Sequence, residues 1–327
     1  MDFIRCKCTE NDAGRTLEKI IRKILPDVPL NKIYQSIRKG LIKINGKKSK
    51  QNDKVMSGDE IWIADIFSVK SVSEQQNFID YNIKLENIFE NDHIRIINKP
   101  SSFAVHGSHS SKPDLYQIIV QDYQKKNIST LSFTPGPLHR LDTFTSGLLV
   151  FSNSIKGARE FSLALKNNQI KKTYLAVLEG TLTQFLELND YIEKNQNKSS
   201  AFHTMKVQKQ KSREAKLAVT KVKPLYHVFD GIEKTFAEIQ IETGRTHQIR
   251  VQCSNAGFPL AGDKAYGAKS KDKIMLHSYK MTFPFENTIG LPGEITAPLR
   301  EDFLEWTKKF LPNSILLNYN IFNETLK

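Results

Sequence analysis

The sequence GPLHRLDTFTSGLLVFS, residues 136–152, places a short polar loop directly before a run of apolar residues. The run Leu148 to Phe151 predicts a buried strand, because it is short, apolar and rich in β-forming side chains. Asp142 lies in front of that strand, two residues after Arg140. One interpretation is a turn aspartate that forms a local Arg140–Asp142 ion pair. The other is a functional carboxylate carried on the loop, and the rest of the chain has to decide between them.

Composition indicates an ordinary soluble globular protein. The chain has 327 residues, of which 39% are hydrophobic and 25% charged, enough for a sizeable core and two domains. It contains no run of about 18 apolar residues, so no membrane span is predicted, and its first residues lack the features of a signal peptide. Cys6 and Cys8 are too close for an easy disulfide, and with Cys253 they are expected to be free thiols of a cytoplasmic protein.

The charge distribution favours a polyanionic partner. The net charge is +13, which is typical of nucleic-acid binding, although lysine-rich codon usage would explain part of the excess. Residues 194–223 contain nine basic residues and one acid, Glu214. The nine are Lys194, Lys198, Lys206, Lys209, Lys211, Arg213, Lys216, Lys221 and Lys223.

Residues 1–65 predict a small separate domain. RTLEKIIRKIL places its apolar residues on one helical face, and NKIYQSIRKG predicts a second helix with Asn31 as N-cap and Gly40 as its end. LIKINGKK alternates around the turn Asn45–Gly46 and predicts a hairpin, and GDEIWIAD predicts a closing strand.

The remainder predicts a linker, a large domain and a tail. Residues 66–85 show no periodicity and are expected to be a linker, residues 86–312 form the large domain, and residues 313–327 are an Asn-rich tail expected to be mobile. Predicted strands are IRIINKP, GLLVFS, TYLAVLEG and KTFAEIQIET, and predicted helices are IKGAREFSLALKNN and THQIRVQCSNAG. This order is not a regular βαβα series, so an α+β fold with a mixed or antiparallel sheet is expected.

Six short polar motifs lie on predicted strand ends and loops of the large domain. They are NKPSSFAVHG (98–107), HRLDTFTSG (139–147), KKTYLAVLEG (171–180), ETGRTHQIRVQ (242–252), GDKAYG (262–267) and LHSYKMTF (276–283). In this order they resemble the RluA-type family of RNA pseudouridine synthases. The first 65 residues resemble an S4 RNA-binding domain, and the combination is most similar to the RluC-like branch. The resemblance implies a small S4-like (αL-type) domain followed by a pseudouridine synthase catalytic domain.

The resemblance implies isomerisation of uridine to pseudouridine in RNA, most simply 23S ribosomal RNA or a pre-50S particle, by a monomer. Two alternatives remain open: a tRNA pseudouridine synthase, or an inactive RNA-binding ribosome assembly factor. The reaction breaks the N1–C1′ bond and rejoins the uracil through C5 without redox change, so no cofactor and no metal are expected. The sequence correspondingly lacks a Gly-rich phosphate loop and a metal-ligand cluster.

The resemblance assigns catalysis to three residues. Asp142, the aspartate of Arg-Leu-Asp, attacks the sugar or stabilises its developing charge. Arg245, from GRTHQIR, pairs with Asp142, and a nearby guanidinium keeps a buried carboxylate ionised. Tyr174 lines the site, stacks on the uracil and helps to move a proton, although core packing is the ordinary role of a strand tyrosine.

Other residues are expected to contact the substrate. Arg140 fills the stack that a flipped uridine vacates, and Leu276 forms an apolar wall under the base. His139, His247 and His277 are expected to be structural or to contact RNA. The S4 resemblance adds five basic residues as RNA contacts, Arg38, Lys39, Lys43, Lys47 and Lys48.

One departure from the family pattern is the pair Gln252–Cys253, where many relatives carry a histidine. We expect it to change local contacts rather than to abolish activity.

Overall fold

A computed structural model of the chain contains a small N-terminal unit and a large unit, each with its own apolar core. Most of the expected linker, residues 68–82, lies outside the described residues. No helix within the described ranges is both long and apolar enough to cross a membrane. The structure describes residues 2–67, 83–107, 113–126, 130–195, 204–283, 286–319 and 321.

The N-terminal unit packs two helices on a four-stranded antiparallel sheet of order β1-β4-β2-β3. Leu17, Ile20, Ile33 and Ile37 of the two helices are buried against that sheet, as the apolar spacing predicts. The elements are β1 (Phe3–Lys7), α1 (Leu17–Ile24), α2 (Leu30–Lys39), β2 (Ile42–Ile44), β3 (Lys47–Lys48) and β4 (Glu60–Ala64).

The ends of α2 test the predicted caps. Gly40 ends the helix with φ of 72°, a left-handed conformation that favours glycine, so this prediction is confirmed. The predicted N-cap is wrong, because the helix begins at Leu30, immediately after Pro29 in the N-cap position, and already includes Asn31. Strand β1 had not been predicted.

The large unit is built on one ten-stranded sheet of order β10-β9-β11-β12-β8-β13-β7-β6-β5, with β14 paired to β13. All pairs are antiparallel except β13 with β7, so the expected mixed sheet is confirmed. The strands are β5 (Glu86–Glu90), β6 (Ile94–Lys99), β7 (Ser146–Ser152), β8 (Lys171–Glu179), β9 (Leu186–Lys194), β10 (Met205–Gln208), β11 (Lys216–Phe229), β12 (Glu233–Ile241), β13 (Leu276–Thr282) and β14 (Glu294–Thr296). The helices are α3 (Leu115–Lys125), α4 (Ile155–Lys166), α5 (Gln248–Asn255), the 3-10 helix Lys264–Tyr266, α6 (Glu301–Phe310) and α7 (Asn313–Asn318).

Helices cover both faces of this sheet. On β8, Tyr174, Ala176 and Leu178 face the core shared with α3 and α5, whereas Leu175 and Val177 face the core shared with α6 and α7. The predicted helices correspond to α4 and α5, and α3, α6 and α7 had not been predicted. A strand buried on both faces explains the uninterrupted apolar sequence of β8.

The expected mobile tail is wrong for the tail residues that the structure describes. Residues 313–318 form α7, and Leu316 and Ile321 are buried in the core that α6 covers. The backbone carbonyl of Tyr319 accepts a hydrogen bond of 2.7 Å from the Tyr279 hydroxyl. The apolar residues between the asparagines hold this segment on the sheet.

The short parallel contact between β7 and β13 requires a glycine. Gly147 has φ of 103°, and a Cβ there would lie 2.3 Å from the Ser278 carbonyl oxygen. Beside it, the buried Ser146 hydroxyl and His277 Nδ1 are 2.9 Å apart. This close approach fixes the start of β7, and thus the loop before it that contains Asp142.

The two units contact each other through a buried carboxylate. Asp12 is fully buried and accepts hydrogen bonds from the Leu131 backbone N–H at 3.1 Å and the Ser132 hydroxyl at 2.8 Å. Arg15 donates in return to the Ser132 carbonyl at 2.5 Å, and Leu131 packs against the N-terminal core. These contacts attach the N-terminal unit directly to the large unit.

We predict that Asp12→Ala lowers the free energy of unfolding by about 3 kcal/mol, because two backbone N–H groups and three hydroxyls lose a buried acceptor. Denaturant unfolding measures this, and amide exchange at residues 130–132 should increase. Asp65→Ala, which removes an exposed carboxylate of the same unit, is the control. Equal stability of the two variants would contradict the inferred attachment.

Candidate active site

A cleft of about 930 Å³ opens where β7, β8 and β13 meet α5. All five residues that the sequence assigned to the site within the large domain line this cleft. They are Arg140, Asp142, Tyr174, Arg245 and Leu276. The motifs that carry them lie up to 136 positions apart, from Arg140 to Leu276, and the sheet order brings them together.

Asp142 is held by an arginine from α5. Arg250 Nη1 lies 3.4 Å from Asp142 Oδ2, and the Asp142 side chain is 23% exposed. The other side of the guanidinium binds Asp263 through two hydrogen bonds, Nε to Oδ2 at 2.7 Å and Nη2 to Oδ1 at 2.9 Å. Burial alone lowers the pKa of Arg250, but Asp263 and Asp142 together raise it above its ordinary value. The arrangement therefore places a permanent positive charge beside Asp142.

The predicted pairing of Arg245 with Asp142 is wrong. Arg245 lies in the turn before α5, is exposed, and donates from Nε to the Leu217 carbonyl at 2.9 Å. The helix starts after His247, whose φ of 52° marks a left-handed turn, and the second arginine of GRTHQIR then faces the carboxylate. The local Arg140–Asp142 pair is not formed either, since Arg140 is exposed and Asp142 contacts Arg250.

Tyr174 and Leu276 form a buried wall of the cleft. They are 5% and 4% exposed, and both belong to the core that α5 covers. Burial raises the pKa of Tyr174 well above its ordinary value, the adjacent Ser278 hydroxyl opposes this, and the Asp142 charge adds to it. The phenol therefore stays protonated and can donate a hydrogen bond, whereas it is a poor base.

A buried lysine fixes the loop that follows Asp142. Lys99 is fully buried and its ammonium donates to three backbone carbonyls, those of Pro100 at 3.0 Å, Thr143 at 2.9 Å and Thr145 at 2.7 Å. Burial lowers the pKa of Lys99 to about 7, and the Asp142 charge opposes that change. Three acceptors match the three donors of an ammonium group, so the loop has one well-defined position.

The three histidines near the site differ in setting. Burial lowers the pKa of His139 to about 3 and that of His277 to about 4, and each is hydrogen-bonded, His139 Nε2 accepting from the Val150 N–H. Both are neutral structural groups, as expected. His247 lies closer to the chemistry, with Nε2 at 3.9 Å from Asp142 Oδ2 and Nδ1 at 2.9 Å from the Tyr266 hydroxyl.

The departure at Gln252 has a structural role. Its amide nitrogen donates to the Leu188 and Ala218 carbonyls and to Asp190, while its oxygen accepts from the Thr220 hydroxyl. The side chain thus joins α5 to β9 and β11, and the helix that carries Arg250 is kept in place. The effect of this departure on activity stays a prediction.

The five basic residues assigned to the N-terminal unit do not line the cleft. Arg38, Lys39, Lys47 and Lys48 are exposed, and the Lys43 ammonium lies 4.5 Å from the centre of the Phe3 ring. Any RNA contact there is separate from the cleft.

Among the described residues, no group of three or more His, Cys, Asp or Glu side chains is placed to hold a metal ion.

Comparison with known proteins agrees with this geometry. The model of the RNA pseudouridylate synthase family matches residues 93–255, which include Lys99, Asp142, Tyr174 and Arg250. The chain belongs to the RluA-type family of RNA pseudouridine synthases. It is 27% identical to the ribosomal large subunit pseudouridine synthase D of Neisseria meningitidis, over 92% of this chain and 82% of that relative.

Further relatives extend the match. The ribosomal large subunit pseudouridine synthase C of Buchnera aphidicola is 29% identical, over 89% of this chain and 92% of that protein. Human RNA pseudouridylate synthase domain containing 1 has the same fold, with a TM-score of 0.57 and 22% identity over 73% of this chain and 96% of its own. This RluA-type synthase is thus similar both to ribosomal large subunit pseudouridine synthases C and to synthases D. The sequence identities are nearly equal, so they do not assign the chain to the RluC-like branch.

Sequence reasoning missed Arg250 and Lys99 as members of the site. Arg250 lies in the same motif as Arg245, and its signal was its position between the core residues Ile249 and Val251 of a predicted helix. A charge so placed requires a buried partner, and Asp263 in GDKAYG was the available one. The signal for Lys99 was equally local, a lysine that follows the apolar run of β6.

We predict that Arg250→Met lowers the single-turnover rate at saturating RNA by at least about a hundredfold, whereas Arg245→Met mainly weakens RNA binding. Removing one partner of a buried ion pair also costs about 3–5 kcal/mol of stability, so melting curves must accompany the kinetics. Arg250→Lys, which keeps a charge, should be more stable than Arg250→Met. An equal loss of the saturated rate in Arg245→Met would contradict the distinction drawn between the two arginines.

Proposed function

We propose that this chain isomerises uridine to pseudouridine in large-subunit ribosomal RNA, with Asp142 as the reacting carboxylate. The observation that carries the proposal is the single ion pair between Asp142 and the buried Arg250, at the bottom of a cleft walled by Tyr174 and Leu276. The relatives named as ribosomal large subunit synthases support the substrate class.

Asp142 acts at C1′ of the target nucleotide. The carboxylate attacks the sugar or stabilises the positive charge that develops as the N1–C1′ bond breaks. Because Asp263 already binds two nitrogens of the guanidinium, Arg250 holds Asp142 through a single longer contact. One carboxylate suffices, since the uracil stays bound as a delocalised anion and rejoins the sugar through C5.

The uracil stacks on Tyr174 and packs against Leu276. The buried phenol remains protonated near neutral pH, so its contribution is stacking and hydrogen-bond donation rather than general base catalysis. Exclusion of water by the apolar wall strengthens the interaction of the carboxylate with the developing positive charge.

Arg140 and Arg245 contact the RNA around the flipped nucleotide. Both are exposed at the cleft and neither pairs with a carboxylate among the described residues. Flipping a base costs a few kcal/mol of stacking, and the planar guanidinium of Arg140 can fill the vacated stack.

The N-terminal unit binds RNA in the manner of an S4 domain. Its two helices, hairpin and closing strand match that pattern, and α2 and the following hairpin expose Arg38, Lys39, Lys47 and Lys48.

We further propose that the chain acts in the cytoplasm as a monomer, because one chain supplies every residue assigned to the site. Of the basic residues on β10 and β11, Lys206 and Lys221 are paired with Glu193 and Glu242.

Mapping of pseudouridines tests the substrate. Cells that lack the gene should lose pseudouridine at defined positions of the large-subunit RNA, and re-expression should restore it. Loss at tRNA positions instead would favour the tRNA alternative. Unchanged maps in both RNAs would favour the inactive assembly factor.

We predict that Asp142→Asn reduces pseudouridine formation below detection while the Kd for RNA changes less than about threefold, because the amide keeps the shape and removes the charge. Release of tritium from 5-tritiated uridine in RNA measures turnover, and a filter-binding titration measures affinity. Asp92→Asn, which changes an exposed carboxylate outside the cleft, is the control. Retained turnover in pure Asp142→Asn would remove this residue from the reaction.

We predict that simultaneous charge reversal at Arg38, Lys39 and Lys43 weakens binding of structured ribosomal RNA. Fewer phosphate contacts release fewer counterions, so the slope of log affinity against log salt should become shallower by about 2–3. Conversion of a short RNA substrate should change little, since these residues lie outside the cleft. An unchanged affinity and salt slope would mean that the N-terminal unit serves another partner.

A further inference from the structure

A second cavity of about 460 Å³ adjoins the active-site cleft. The two spaces share five wall residues from β8, β12 and the segment after α4, so they lie on either side of a common wall. The shared residues are Asn168, Ile170, Lys172, Ile241 and Glu242. Nothing in the reaction assigned to Asp142 uses this second space.

Four lysines line the second cavity, the exposed Lys171 with Lys172, Lys221 and Lys280, and two of the four are paired with carboxylates. Lys221 forms an ion pair of 2.7 Å with Glu242, and Lys280 forms one of 3.2 Å with Glu294. Lys172 is different. It lies in the shared wall, and no carboxylate of the described residues is within 4.0 Å of its ammonium.

The surroundings of Lys172 leave its charge without a counter-ion. A Cβ at Gly244 would lie 4.0 Å from its Nζ, so the ammonium is next to the turn that carries Arg245. Burial lowers the pKa of Lys172 to about 8, and its charge in turn contributes to the low pKa of His139. A partly desolvated ammonium that faces a cavity gains free energy when an anion takes the place of lost water.

We propose that Lys172 binds the RNA phosphodiester next to the target uridine, and that the second cavity receives the neighbouring nucleotide. This proposal rests on the proposed function, because the anion is a phosphate of the RNA strand that contains the flipped uridine. A nucleotide whose base enters the cleft remains joined to the chain by phosphates on both sides, and these must lie at the cleft wall. Lys172 lines both cavities, and none of the carboxylates that the structure describes forms an ion pair with it.

The role assigned to Lys172 differs from that of the exposed arginines. Arg140 and Arg245 are exposed, whereas Lys172 is partly buried and projects from the interior strand β8. It therefore fixes the phosphate, and with it the sugar, at a set position relative to Tyr174, two residues further along the same strand. Such positioning favours the approach of C1′ to Asp142.

A chemical double-mutant cycle tests the proposal. We would use a short RNA with a uridine from a large-subunit ribosomal RNA stem-loop that the wild-type protein binds, and two versions with one neutral methylphosphonate, either 5′ or 3′ of that uridine. For the wild-type protein, one of the two substitutions should weaken binding by about tenfold to a hundredfold. Lys172→Met should bind the unmodified RNA as weakly as the wild-type protein binds the methylphosphonate RNA that weakens it. The variant should then bind the unmodified RNA and that methylphosphonate RNA with equal affinity.

Lys223→Met is the matched control, because it removes an exposed lysine of β11 that lines neither cavity. It should discriminate between the RNAs as the wild type does. Lys172→Arg keeps the positive charge and should retain part of the difference in affinity between the unmodified and methylphosphonate RNAs. Together with melting curves, this variant separates loss of the phosphate contact from loss of folding.

The proposal is overturned if Lys172→Met binds the unmodified RNA normally, or if it still discriminates against the same methylphosphonate as strongly as the wild type. It is also overturned if neither methylphosphonate weakens the wild-type protein. Turnover measured on the same RNA separates this from the proposed function. Wild-type protein that discriminates through Lys172 but converts no uridine would refute the isomerase and leave the phosphate site standing.

Discussion

The active site depends on a buried guanidinium that is shared unequally between two carboxylates. Asp263 is 1% exposed and accepts two short hydrogen bonds from Arg250. Asp263 alone therefore holds the guanidinium in place and balances most of its positive charge. The remaining nitrogen reaches Asp142 at 3.4 Å. A bidentate pair with Asp142 itself would occupy both carboxylate oxygens. The unequal sharing places the guanidinium of Arg250 beside one oxygen of Asp142 and leaves the other oxygen open to the cleft.

The position of Asp142 is set by backbone contacts rather than by that ion pair. Lys99 holds the carbonyls on the far side of the loop, and the close approach of Gly147 to Ser278 fixes where β7 begins. Both constraints act on the main chain, so the side chain needs only a weak contact to be oriented. This division between a rigid loop and a lightly held carboxylate suits the role proposed for Asp142 at a sugar carbon.

The sequence was sufficient for an α+β fold with a mixed sheet and for placing Asp142, Tyr174 and Leu276 at one cleft, and its failures have physical causes. These three residues were assigned from the motifs that resemble the family, Asp142 directly before a predicted strand and Tyr174 within one. The choice between Arg245 and Arg250 depended on the register of α5 after the left-handed His247, which periodicity does not reveal. Helix α7 was missed because its burial comes from a distant sheet face. Such long-range packing overrides local composition.

The attachment of the N-terminal unit changes how target choice is understood. A unit joined only by a linker would search the volume that the linker allows, and would add affinity through effective concentration. Asp12, Arg15 and Leu131 instead dock it on the segment after α3. The exposed basic residues of α2 therefore lie at a fixed distance from Asp142, so an RNA that contacts both must present its uridine at a matching distance. With the RNA binding proposed for the N-terminal unit, selection would depend on the shape of the folded RNA more than on the sequence around the uridine.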